Sequence, residues 1–169
     1  KADAPQDVLD AAGEISRVLE KMSGARVETT TAADAAAVDR ERPGLVLGAL
    51  AADMGLRVEQ TSRGRDAFRF RVTGRHVLLV AESPRGVYLG AMRFLETLGC
   101  GWYTPGQVGE VIPSRATVTV PDGLDHAEAS DSVNRRFWYG GKGRAGEATA
   151  AWLRRINGDF QTGSWSHAY

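Results

Sequence analysis

Cysteine occurs once in this chain of 169 residues, at Cys100, and histidine three times, at His76, His126 and His167. One cysteine excludes an internal disulfide, so cytosolic and exported settings stay equally open, and Cys100 itself reads as a small buried hydrophobe. The histidines lie far apart, with neither a His-x-x-x-His pair nor a Cys/His cluster. Zinc-peptidase chemistry therefore has no support, and no metal or cofactor is expected. A charge imbalance is also missing: Lys+Arg and Asp+Glu both number 21. Nothing in the overall electrostatics points to nucleic acid or to an acidic membrane surface. No apolar run approaches the roughly 20 residues that cross a bilayer. Ser166-His167 lacks the G-x-S-x-G setting of a nucleophile elbow, and Gly141-Lys142 lacks the glycine spacing before it and the Ser/Thr after it that a phosphate-binding loop needs. Glycoside hydrolysis uses two carboxylates facing one another across a bond, and no convincing pair is visible. Asp122, Asp125, Glu128 and Asp131 read as turn or linker acids.

What the chain does contain is a strongly marked helix. Ser83 is a good N-cap and Pro84 suits the first helical position, where its missing N–H costs nothing. Val87, Ala91, Phe94 and Leu98 recur at helical spacing, Tyr88, Met92 and Leu95 widen the stripe, and Arg93 and Glu96 take the opposite side. Gly90, at the edge of the stripe, lets the helix approach a strand, and Gly99 is placed to end it in a left-handed conformation. Cys100-Gly-Trp-Tyr-Thr-Pro-Gly106 then reads as a tight aromatic segment packed under the helix.

A second amphipathic helix is expected over Asp7–Met22, with Val8, Ala11, Ile15, Val18 and Met22 on one face and Gly24 ending it. Arg26–Thr30 is a short β-prone run, and Thr31–Arg42 a loop or short helix. Leu45–Leu50 is a continuous apolar run of the kind expected of a strand covered on both faces. Phe68, Phe70 and Val72 alternate with Arg69, Arg71 and Thr73, and a turn at Gly74-Arg75 leads into His76–Ala81, so a hairpin precedes the central helix. Alternation also puts Arg69 and Arg71 on a solvated face, a better account of Arg63, Arg65, Arg69, Arg71 and Arg75 than a patch for single-stranded nucleic acid. Glu110–Ile112 and Ala116–Val120 supply the last β segments. The expected fold is α+β: a two-layer sandwich of a mixed sheet with two main helices on one face, over residues 1–126. Residues 127–169 are then a linker, Ala127–Asn134, and a new unit from Arg135, with a flexible glycine-rich loop at Gly140–Gly146 and a helix over Glu147–Ile156.

The run RGVYLGAMRFLETLGCGWYTPG at Arg85–Gly106, followed by GEVIP at Gly109–Pro113, resembles the helix and helix-to-strand turn of the small N-terminal domain that precedes the catalytic barrel in several glycoside hydrolases. These are the α-glucuronidases, the β-N-acetylhexosaminidases and, most closely, a family of bacterial polysaccharide-related proteins with the same domain order. Arg85-Gly86, Phe94-Leu95-Glu96, Leu98-Gly99, Trp102-Tyr103 and Pro105-Gly106 carry the resemblance, and Ala11-Ala12, Glu14-Ile15, Leu19, Ser23 and Gly24 fit its first helix. The match is to a domain rather than to a reaction. It implies a strand ahead of the first helix, which this sequence lacks or reduces to a few residues, and it implies that residues 127–169 open a (β/α)₈ barrel. It also implies a periplasmic or extracellular setting.

Lys1-Ala-Asp-Ala-Pro5 opens abruptly onto a helix without a leader pattern, and Ser166–Tyr169 closes without a terminating element, so the sequence is expected to be part of a longer protein. On this reading it is a non-catalytic accessory domain plus the truncated start of a catalytic barrel, reaching carbohydrate through the whole protein. Any catalytic pair would lie past Tyr169. Arg136, Trp138, Trp165 and His167, with Tyr169, are the candidate substrate-binding residues, because aromatic faces pack on sugar C–H surfaces while Arg and His donate to hydroxyls; burial in a barrel core would equally account for the aromatics. Self-association of the truncated tail through Phe137, Trp138, Trp152 and Trp165 is a further expectation. The competing reading is a stand-alone carbohydrate-binding or scaffolding module without hydrolase activity.

Overall fold

The computed structural model describes residues 3–131, 136–137, 144–156 and 159–160, with backbone alone at 136, 137, 144, 145, 159 and 160. The fold is α+β. Helix α1 spans Gln6–Ser23, with Ala11, Ile15, Val18 and Met22 buried, and ends at Gly24. Strand β1 is Gly44–Leu47, helix α2 Ala49–Asp53, strand β2 Phe68–Thr73, strand β3 His76–Ala81 and helix α3 Pro84–Thr97. β4, Gly101–Trp102, pairs antiparallel with β5, Glu110–Val111. β6, Asp125–Glu128, completes a mixed four-stranded sheet ordered β1-β3-β2-β6, in which β1 and β3 are parallel and the other pairs antiparallel.

α1 and α3 cover one face of this sheet. Phe68, Phe70, Val77 and Leu79 meet Val87, Ala91, Phe94, Leu95 and Leu98 of the α3 segment and the buried stripe of α1. Phe70 and Phe94 meet edge to face at 5.7 Å between centroids, an arrangement favoured by the ring quadrupoles. The opposite face holds a smaller cluster, Val46, Leu78 and Val80 beneath Ala51 and Leu56 of the α2 region. β3 is therefore buried on both sides.

The central helix forms as its sequence dictates. The Ser83 side chain accepts from the Gly86 N–H at 3.2 Å and Pro84 occupies the first turn. A Cβ at Gly90 would stand 3.0 Å from the Phe68 ring and 3.2 Å from Leu79, so the absence of a side chain sets the helix-to-sheet distance. Gly99 has φ +90° and ends the helix in the left-handed region.

Several local expectations change. The apolar run Leu45–Leu50 is not one strand: β1 stops at Leu47 and the chain enters α2, so the doubly covered strand is β3 and β1 lies at the sheet rim. Arg26–Thr30 joins no ladder, and only Val27 in it is even half-buried. Ala116–Val120 also forms no ladder, although Val118 and Val120 still pack on the main cluster. Thr31–Arg42 holds a single short 3₁₀ turn, Ala35–Ala37, capped by the Asp34 side chain. Among the described residues no strand precedes α1. The linker expected from Ala127 begins as sheet, since Ala127 and Glu128 pair with Arg69 and Phe68 of β2. Asp125 and Glu128 are accordingly strand residues with ion-pair partners, Arg69 at 2.7 Å and Arg93 at 2.8 Å, rather than free turn acids.

After β6 come strand β7, Arg136–Phe137, helix α4, Arg144–Arg155, and strand β8, Asp159–Phe160; β7 and β8 pair in parallel.

Candidate functional site

α4 does not stand apart. Leu153 and Thr149 are fully buried, and Trp152 and Ile156 pack against the main cluster. Its side chains then meet α1 in a charged seam. Arg154 reaches Asp7 Oδ1 at 2.5 Å and Asp10 Oδ2 at 2.7 Å, and Arg155 reaches Glu14 Oε1 at 2.6 Å. Asp7, Asp10 and Glu14 fall on one face of α1 because they are spaced three and four residues apart. The Trp152 indole N–H donates to the Trp102 carbonyl at 2.9 Å. The register of β4 with β5 makes Trp102 and Glu110 opposing residues.

Between α1, α3 and α4 lies a cleft of about 350 Å³ lined by Leu9, Asp10, Gly13, Glu14, Arg17, Tyr88 and Arg154. Arg154 lies over the Tyr88 ring, 4.0 Å from its centroid, a cation–π contact in the lining of the cleft. Gln6 donates to Asp10 at 2.7 Å, and this bond together with Arg154 holds the Asp10 carboxyl below its ordinary value. Burial pushes the Tyr88 hydroxyl up.

At the far end of the cleft Arg17 bridges Glu14 at 2.8 Å and Glu110 at 2.6 Å. Glu110 also accepts from Lys21 at 2.9 Å and from the Trp102 indole at 3.2 Å. Burial alone would raise the Glu110 carboxyl, but these partners outweigh it and bring the group from 4.5 down to about 2. A carboxylate depressed in the folded state stabilises the protein above its unfolded value, and that contribution is lost as the pH falls towards the folded value. Unfolding free energy is therefore expected to drop between about pH 5 and pH 2, with Asp10, Asp125 and Glu128 shifted in the same direction. Denaturant titrations at several pH values should show the Glu110→Gln variant less stable at neutral pH and with a shallower acid slope; an unchanged slope would contradict this account.

A second polar group is structural. The Glu82 carboxylate accepts from the Ser62 and Ala67 N–H groups, and the single Ser62 hydroxyl proton lies between two carboxylates, with Oγ 2.8 Å from Asp66 and 3.0 Å from Glu82, while Oγ accepts from the Asp66 N–H. It locks the loop ahead of β2 to the start of α3. His76 donates from its ring to the Asp39 carbonyl at 3.1 Å, and His126 stacks on Phe70 at 5.0 Å. Burial raises the Cys100 thiol to about 11, which suits the role of small hydrophobe. Among the described residues no three His, Cys, Asp or Glu side chains form a metal-holding group, and no helix is long and apolar enough to cross a membrane.

Of the substrate-binding residues named from sequence, Arg136 is placed only by its backbone, in β7, and Trp138, Trp165, His167 and Tyr169 lie outside the described residues. The cleft is lined by other residues altogether. In sequence Asp10, Glu14 and Arg17 read as the solvated side of an amphipathic helix, and the signal that a second helix would roof them was limited to the clustered Arg154-Arg155. No model of a known protein family matches the chain, and comparison with curated proteins finds no match either.

Proposed function

We propose that the chain is the non-catalytic N-terminal accessory domain of a glycoside hydrolase, joined to the first elements of its catalytic barrel. The observation that carries this is the order of architectures. An α+β unit is followed by β7, α4 and β8, in which consecutive strands separated by a helix pair directly and in parallel. That is the repeating step of a (β/α)₈ barrel, whose neighbouring strands are parallel and linked through helices. The motif resemblance adds weight, because its residues take distinct packing roles at one joint: Gly99 turns the chain out of α3, Leu98 is buried beside it, and Trp102 is buried with its indole on Glu110. The carbohydrate is then engaged by the whole protein, in a periplasmic or extracellular setting.

Self-association of the tail is narrowed by α4. Trp152 packs partly within its own chain, which reduces the surface it would offer to another copy. The reading predicts that purified residues 1–169 turn over no aryl glycoside, since it assigns the catalytic carboxylate pair to the rest of the barrel, whereas a product of the full reading frame does. Hydrolysis by the 169-residue chain that is lost on mutating one of its carboxylates would overturn it. So would a full reading frame that encodes no barrel with facing carboxylates.

A further inference from the structure

We propose that the cleft between α1, α3 and α4 is a binding site for a neutral saccharide. The ligand class rests on the carbohydrate reading above, while the cleft itself does not. Its lining presents two carboxylates, Asp10 and Glu14, and two guanidinium groups, Arg17 and Arg154. These charges balance, so an ionic ligand of either sign meets as much repulsion as attraction, and a purely apolar ligand would strip water from four charged groups. A pyranose avoids both costs, because each hydroxyl offers a donor to a carboxylate and an acceptor to a guanidinium.

The polar groups are also held in place. Asp10 is fixed by Gln6 and Arg154, Glu14 by Arg17 and Arg155, and Arg154 by the Tyr88 ring beneath it. Preset partners lower the ordering cost of binding. Leu9, exposed at the rim, adds an apolar edge for the C–H face of a sugar. A volume of about 350 Å³ lies near the lower end for ligand sites and suits one or two sugar rings. Gly13 keeps the cleft open: a Cβ there would meet nothing within 4 Å, so a side chain at this position would extend into free space. The site also spans two units, since Arg154 comes from α4 and the remaining lining from α1 and α3. A bound sugar would therefore tie α4 to the accessory unit.

The test is titration of the 169-residue chain with cellobiose and chitobiose, with glucuronic acid and glucosamine as charged comparators, followed by amide chemical shifts. Shifts are expected at Gly13, Glu14 and Tyr88 with the neutral disaccharides. Gly13→Leu replaces a helix-interior glycine with a strong helix former, so it should keep or raise the melting temperature while weakening binding by at least roughly tenfold. Arg154→Met should weaken binding as well, and it keeps a side chain of similar length over Tyr88. Binding that survives Gly13→Leu, shifts elsewhere on the protein, charged sugars binding at least as well as neutral ones, or no binding by any of the four would each overturn the proposal. The hydrolase reading is decided separately, by turnover of aryl glycosides by the full reading frame.

Discussion

Leu98→Ala is expected to lower the unfolding free energy by about 2–5 kcal/mol, the range for large-to-small changes in a packed core. Leu98 is 2% exposed and sits where three parts of the protein meet: the end of α3, the stripe of α1 and the aromatic turn at Trp102. Its neighbours have little freedom to fill a void. Gly99 fixes the chain direction on one side, and the Thr97 hydroxyl donates to the Phe94 carbonyl on the other. The cost should therefore fall in the upper part of that range, and Phe94→Ala, which also removes the edge-to-face contact with Phe70, should cost at least as much. Urea denaturation read by circular dichroism checks both. A loss under about 1 kcal/mol for either would mean that α3 is not the keystone of the core.

Deleting residues 132–169 should lower the melting temperature but leave one cooperative transition. The deletion uncovers the part of the main cluster that Trp152 and Ile156 shield. Fully burying a residue such as leucine is worth about 1.5–3 kcal/mol. Backbone ordering of α4 opposes that gain, and the core that α1, α3 and the sheet form stays whole, so a lowered melting temperature is expected rather than collapse. Ending the chain at His126 should be worse. That cut also removes Ala127 and Glu128, two of the four β6 positions registered with β2, together with the Arg93–Glu128 ion pair. The expected order of melting temperatures is 1–169, then 1–131, then 1–126. A 1–131 chain that melts with the full one would show that α4 packing contributes nothing, and an unfolded 1–131 chain would make the C-terminal segment integral to the core.

Both helices on the main face were legible because each is specified by local chemistry and by a stripe long enough to establish its period. Ser83, Pro84 and Gly99 mark α3 at its ends, and Gly24 marks the end of α1. The β2–β3 hairpin was legible for the same reason, through the Phe and Arg alternation and the Gly74 turn. Failures came where pairing depends on a distant partner. Leu45–Leu50 is apolar throughout, and nothing local tells the chain to leave the strand at Leu47. Val118 and Val120 alternate as a strand would, yet among the described residues they pair with no strand. The acids Asp125 and Glu128 look like turn residues until Arg69 and Arg93 come alongside from other elements. The cleft was the least legible feature, because it depends on α4 crossing α1, a contact between residues more than a hundred positions apart.

The shortness of the two outer strands has a consequence for how copies of this protein behave in concentrated solution. With a formal net charge of zero, the chain has no overall repulsion to keep copies apart. A long exposed strand would then be a template on which sheets could grow from one copy to the next. β1 offers four residues before the chain turns into α2, and β6 offers four with a carboxylate at each end. Among the described residues, the rims of this sheet are too short to serve as such a template, which compensates for the missing surplus of charge.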